Sequence, residues 1–163
     1  MQRSLLLVPA LALVAFLAAS CSSGEGPPDD RTSAITAAVI RAVVTQGTNP
    51  AEVRAPVFVA PADPEAPISL EVQAGVVEML EDFETLRFVD DPAEAIIEDD
   101  PGKPVVDKGI LVELGPIPET GDNVVVDAKR YESEDNMDDY RARVQRSGDT
   151  WTATLGASTT RAE

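Results

Sequence analysis

Histidine is absent from all 163 residues, and cysteine occurs once, at position 21. Without histidine the chain lacks the usual general base near neutral pH, the commonest zinc ligand and the base of both common nucleophile pairs. A single cysteine excludes an intramolecular disulfide, so the fold must hold by packing. Aromatic residues make up only 4% of the chain. Beyond residue 21 they are Phe58, Phe83, Phe88, Tyr131, Tyr140 and Trp151, nearly all at positions that the hydrophobic periodicity assigns to a core. That leaves no stacked aromatic surface for sugars. Basic residues are few as well, 13 against 29 acidic ones, for a net charge of −16. Such a balance repels nucleic acid phosphates and anionic lipid headgroups, so nucleic acid is excluded as a partner. No Gly-rich phosphate loop, dinucleotide fingerprint or Ser-x-x-Lys pair is present. Together these absences predict a protein that is not an enzyme and carries no cofactor or metal.

What is present begins at the N-terminus. Arg3 and the free amine form a short positive region, residues 5–17 are almost purely apolar, and Ala18-Ala19-Ser20-Cys21 closes the stretch with small residues and a thiol. This is the pattern of an export signal. The apolar run is shorter than the roughly 20 residues needed to span a bilayer, and Pro9 interrupts it. The stretch resembles a bacterial lipoprotein signal with its lipobox, with Ala18 where Leu is commonest and Ser20 where Gly or Ala is commonest. The resemblance implies cleavage after residue 20, lipidation of Cys21, and anchoring to the outer face of a bacterial membrane. Read as an ordinary secretory signal, the same residues would leave Cys21 a spare thiol. Removing residues 1–20, which hold one basic side chain and no acidic one, leaves 143 residues with a charge of −17. That is enough chain for one domain with its own core. Membrane contact would come from the lipid on Cys21, since two or three acyl chains hold a protein firmly.

Residues 21–31 are polar and rich in Gly and Pro, as expected of a flexible tether. Residues 32–156 read as a single α+β domain and 157–163 as a polar tail. Ile35, Val39 and Val43 recur at helical spacing, with Thr32 or Ser33 as cap and Gly47 and Pro50 beyond the end. The apolar run 56–61 is fenced by prolines, which suits an edge strand or an extended loop. A second helix places Val72, Val76, Met79, Leu80 and Phe83 on one face behind a Ser69 cap. Gly75 within it costs about 1 kcal/mol relative to Ala. Residues 86–89 read as a brief strand, and Asp91-Pro92-Ala93-Glu94 reads as a capping box that starts a short helix over 92–98.

From Gly109 the period changes to two. Ile110, Val112 and Leu114 share a face, as do Val124, Val126 and Ala128, then Tyr140, Ala142 and Val144, then Trp151, Ala153 and Leu155. The predicted fold is therefore N-terminal helices packed on a C-terminal antiparallel β-meander of about four strands. Its links are expected at 115–123, 132–139 and 147–149. Arg141, Arg143, Gln145, Thr150, Thr152 and Thr154 point outward, and Trp151 points inward.

Five acids fall within 132–139, but the spacing lacks the EF-hand glycine and terminal glutamate, so a solvated loop without calcium is expected. Asp90 with Asp91, and Asp99 with Asp100, are sequence neighbours rather than carboxylates facing across a cleft. The closing hairpin from Tyr140 to Leu155 is similar to the last hairpin of small exported α+β domains of the NTF2-like and cystatin-like groups. That similarity implies a helix lying across a curved sheet with a cone-shaped pocket between them, and no catalysis, because no residue matches the acid-base groups of the enzymes among them. Two functions follow as expectations. One is a membrane-anchored lipoprotein acting through contacts with an unknown protein partner or as an accessory subunit; the other is a binder of a small apolar ligand.

Overall fold

The computed structural model describes residues 28–46, 48 and 52–156. In chain order its elements are α1 (Pro28–Val44), β1 (Val57–Pro61), α2 (Leu70–Met79), β2 (Leu86–Phe88), β3 (Ile110–Leu114), β4 (Asn123–Ser133), β5 (Asn136–Ser147) and β6 (Thr150–Leu155). The fold is α+β. Strands β3 to β6 pair antiparallel in sequence order; each carries an apolar stripe of period two toward the main core, and β3 also buries Leu111 on its other face. The sheet is larger than four strands: its order is β2-β1-β3-β4-β5-β6, with β1 parallel to both β2 and β3.

Strand β1 is therefore interior, which corrects the edge-strand or loop reading of 56–61. All five of its residues are buried. Val57 and Val59 join the main core while Phe58 and Ala60 join a second cluster on the other face. A strand covered on both faces reads as a continuous apolar run, not as an alternation. Pro56 and Pro61 lie at its ends, where a missing N–H interrupts the ladder least.

The chain passes from β1 through α2 to β2 on one face of the sheet, then returns to β3 across the other. That return holds a 3-10 turn, Pro92–Ala95, and a bridge between Ile96 and Val105. The Asp91 carboxylate caps the turn, accepting from the Ala93 N–H at 2.9 Å. The helix stops after four residues, short of the expected 92–98, because Ile96 turns extended to make the bridge. The second cluster, with Phe58, Ala95, Val105, Leu111 and Tyr131, lies beneath this return.

Helix α1 begins at Pro28, so Pro28 to Arg31 belong to the domain and not to the tether expected through residue 31. Proline suits a first helical turn, where its fixed φ is already right and no intrahelical N–H is lost. Thr32 and Ser33 consequently lie inside the helix instead of capping it. The buried Ser33 hydroxyl donates to the Val72 carbonyl at 3.3 Å. Gly47 and Pro50 lie outside the described residues. In α2 the Ser69 hydroxyl accepts from the Val72 N–H at 3.3 Å, a helix cap. Val72, Val76, Leu80 and Phe83 are buried, but Met79 is 43% exposed. The helix ends at Met79, and Leu80 and Phe83 beyond it fill the core. Gly75 is required by packing: a Cβ there would lie 2.7 Å from the Ser33 hydroxyl.

The link expected over 132–139 shrinks to the two-residue turn Glu134-Asp135, since β4 and β5 run into it. Met137, Asp138 and Asp139 are strand residues: Met137 packs against the second cluster, Asp138 is half-buried and only Asp139 is exposed. The Gly148-Asp149 turn between β5 and β6 is equally tight, with Gly148 at φ 63°.

Candidate functional site

Helix α1 covers one face of β3 to β6, while part of the opposite face stays open. Register decides what this open face carries. Asp127 stands opposite Arg141, Lys129 opposite Asp139, Val125 opposite Arg143, and Glu113 of β3 opposite Lys129. Arg141 Nε donates to Asp127 Oδ1 at 3.0 Å and Lys129 Nζ to Glu113 Oε1 at 2.7 Å. These residues, with Ala62 and Gly115 at one side and Thr154 and Leu155 at the other, border a groove of about 850 Å³. Val125, 47% exposed, adds an apolar side chain to its lining.

The groove is charge-balanced. Glu113, Asp127 and Asp139 face Lys129, Arg141 and Arg143, three acids against three bases on a chain with a net charge of −16. Cross-strand pairing of opposite charges is favourable at this spacing. The arrangement offers donors, acceptors and one apolar contact to the side chains of another protein. Sequence periodicity located Arg141 and Arg143 as outward residues. It did not show that they share a groove with Glu113, Asp127 and Lys129, because that needs the strand register.

A second constellation joins the start of α1 to the sheet. Arg31 is only 8% exposed. Its Nη1 donates to the Pro118 carbonyl at 2.6 Å and its Nη2 to the Gly121 carbonyl at 2.7 Å. The guanidinium lies 5.1 Å from the centroid of the Trp151 ring, a cation–π contact. Trp151 is half-buried and packs against the main core, on the face assigned to it. Arg31 was missed in the sequence because its polar surroundings read as tether. The available signal was its spacing, since positions 31, 35, 39 and 43 form one stripe at intervals of four.

The remaining polar residues mostly serve the fold. The Tyr131 hydroxyl donates to the Lys103 carbonyl at 2.8 Å and the Tyr140 hydroxyl to Asp138 at 3.1 Å. Burial pushes both phenols above their ordinary pKa, and Asp138 raises that of Tyr140 further, so both stay protonated at neutral pH. Glu132 pairs with Arg130, and Glu134 with Lys103 at 3.3 Å. Glu132, Glu134 and Asp138 of this hairpin thus each meet a different partner. Asp100 accepts from the Gly102 N–H at 2.9 Å within a turn. Among the described residues no group of three or more Cys, Asp or Glu side chains is arranged to hold a metal ion.

Compared with protein families, curated proteins and solved structures, the chain gives no match. Cys21 lies outside the described residues. No described helix is long and apolar enough to cross a membrane.

Proposed function

We propose that the protein is a non-enzymatic lipoprotein of the cell envelope, held to a membrane through lipid on Cys21 and acting on a protein partner through its open sheet face. The observation that carries this reading is the charge-balanced groove on the open sheet face of an otherwise strongly acidic chain. A surface of paired charges can meet a partner without the repulsion that the rest of the molecule imposes. The anchor rests on the apolar run and Ala18-Ala19-Ser20-Cys21. A ligand pocket between helix and sheet has less support: Ile35, Val39, Ile40 and Val43 of α1 have no exposed surface, so no water-sized void touches them.

Growth of expressing cells with a radioactive fatty acid tests the anchor. Label should appear in the wild type, vanish in Cys21→Ala, and follow the protein into the membrane fraction. Equal labelling of the two, or none in the wild type, would remove the lipoprotein reading.

A further inference from the structure

Helices α1 and α2 run side by side in one direction. Ser33 meets Val72 and Gly75 near their starts, and Arg41 meets the Met79 carbonyl and Asp82 near their ends. Both helices therefore begin at the same end of the domain. Arg31 ties that end to the Pro118 and Gly121 carbonyls. The Ala62 N–H bonds the Leu114 carbonyl at 2.8 Å, which brings the loop leading to α2 there too. At this end stands Leu70, 76% exposed, the most exposed large apolar residue among those described.

The chain enters at the same place. Cys21 lies seven residues before Pro28, a reach of about 25 Å at full stretch. Strand β5 alone, with 12 residues, spans about 40 Å. A tether this short cannot bring the Glu134-Asp135 hairpin, at the far end, to a membrane surface while the near end points away. The near end is itself acidic, with Glu71, Glu119 and Asp149 exposed and Arg146 set beside Asp122, so it offers no basic patch to anionic lipid and its lipid contact is apolar.

We infer that the end bearing Leu70 is a membrane-docking surface, fitted to zwitterionic lipid headgroups, with the Leu70 side chain inserted among them. This rests on the anchored-lipoprotein reading. Docking here leaves the far hairpin raised into solvent and sets the open sheet face upright beside the membrane instead of against it. A marginal apolar contact suffices, because the anchor already holds the domain at high effective concentration.

The full chain, purified from a host that processes it and reconstituted into phosphatidylcholine vesicles, provides the test. Glu71→Cys and Asp135→Cys each introduce one reporter thiol, since a lipidated Cys21 cannot react. Each is labelled with an environment-sensitive fluorophore and exposed to iodide. On vesicles the label at 71 should be quenched about threefold less than in detergent-free, vesicle-free protein, whereas the label at 135 should be unchanged. Adding Leu70→Ser should remove the protection at 71. Equal quenching at both positions on vesicles that carry the protein, or stronger protection at 135, would overturn the docking surface while leaving the anchor intact. Protein that neither floats with vesicles nor blocks labelling at Cys21 would overturn both, and the extra label distinguishes that failure from the first.

Discussion

Val126 and Val125 are adjacent on β4, yet the first has no exposed surface and the second is 47% exposed. The same contrast runs across the meander, where Ala142 and Val144 are buried and Arg141 and Arg143 are exposed. One face is closed by two helices packed so tightly that Gly75 has no room for a methyl group. The other is closed only where the β2–β3 return crosses it, and beyond that limit its charges balance. The closed face holds the fold together and the open face is free to be used. Substitutions should therefore divide by face rather than by residue type.

The largest effect is expected in the closed layer. Ile40→Ala removes a side chain with no exposed surface and should lower unfolding stability by about 2–5 kcal/mol in a urea titration. Val125→Ala, an apolar truncation on the open face, should stay within about 0.5 kcal/mol. Similar losses from both would break the division. Next comes Arg31→Met, which forfeits two charge-assisted hydrogen bonds and the stacking on Trp151. A loss of about 1.5–3 kcal/mol is expected, together with a red shift in Trp151 emission as the ring gains water. Arg31→Lys should not restore it, since an ammonium lacks the planar fork that reaches two carbonyls. An unchanged midpoint for Arg31→Met would return Arg31 to the tether. Gly75→Ala comes third: the added methyl collides with Ser33, costing about 1–3 kcal/mol, against a gain in helix propensity of about 1 kcal/mol. A net stabilisation would mean that the helices are not in close contact.

Much of this architecture was legible in the residues. The four strands of the meander showed because each carries an apolar stripe of period two, and α2 showed because Ser69 and its apolar stripe agree. What escaped had a physical reason in each case. Strand β1 is buried on both faces and lost its period. Arg31 is a core residue whose side chain looks like surface, because its partners are carbonyls that no composition reveals. The five acids of 132–139 looked like loop because hairpin strands facing solvent can be as polar as loops. The groove was half visible: the outward arginines could be read, but their acidic and basic neighbours on β3 and β4 depend on register.

The smallest effect sharpens the comparison at the surface of the helix layer. Arg41 holds Asp82 through hydrogen bonds of 2.5 and 2.8 Å, and this hydrogen bonding, more than charge alone, lowers the Asp82 pKa. A carboxylate with a lowered folded pKa stabilises above its unfolded value, near 4, and loses that contribution as pH falls through the folded value. With the pair 38% and 45% exposed, the contribution should be under about 1 kcal/mol. Asp82→Asn should therefore differ slightly from wild type at pH 7 and converge with it in acid. A gap that widens on acidification would reverse the sign. Arg141→Ala, which breaks the exposed pair with Asp127 on the open face, should be equally mild for stability.

The most direct test asks whether the open face is used. A photoreactive amino acid at Val125, and as control at Glu81, exposed on the helix side, would be illuminated in intact cells carrying the full protein. A discrete crosslinked species should form from position 125, disappear when Arg141→Glu and Arg143→Glu are added, and be missing from position 81. No adduct from 125, or the same adduct from both positions, would contradict a partner-binding groove on the open face.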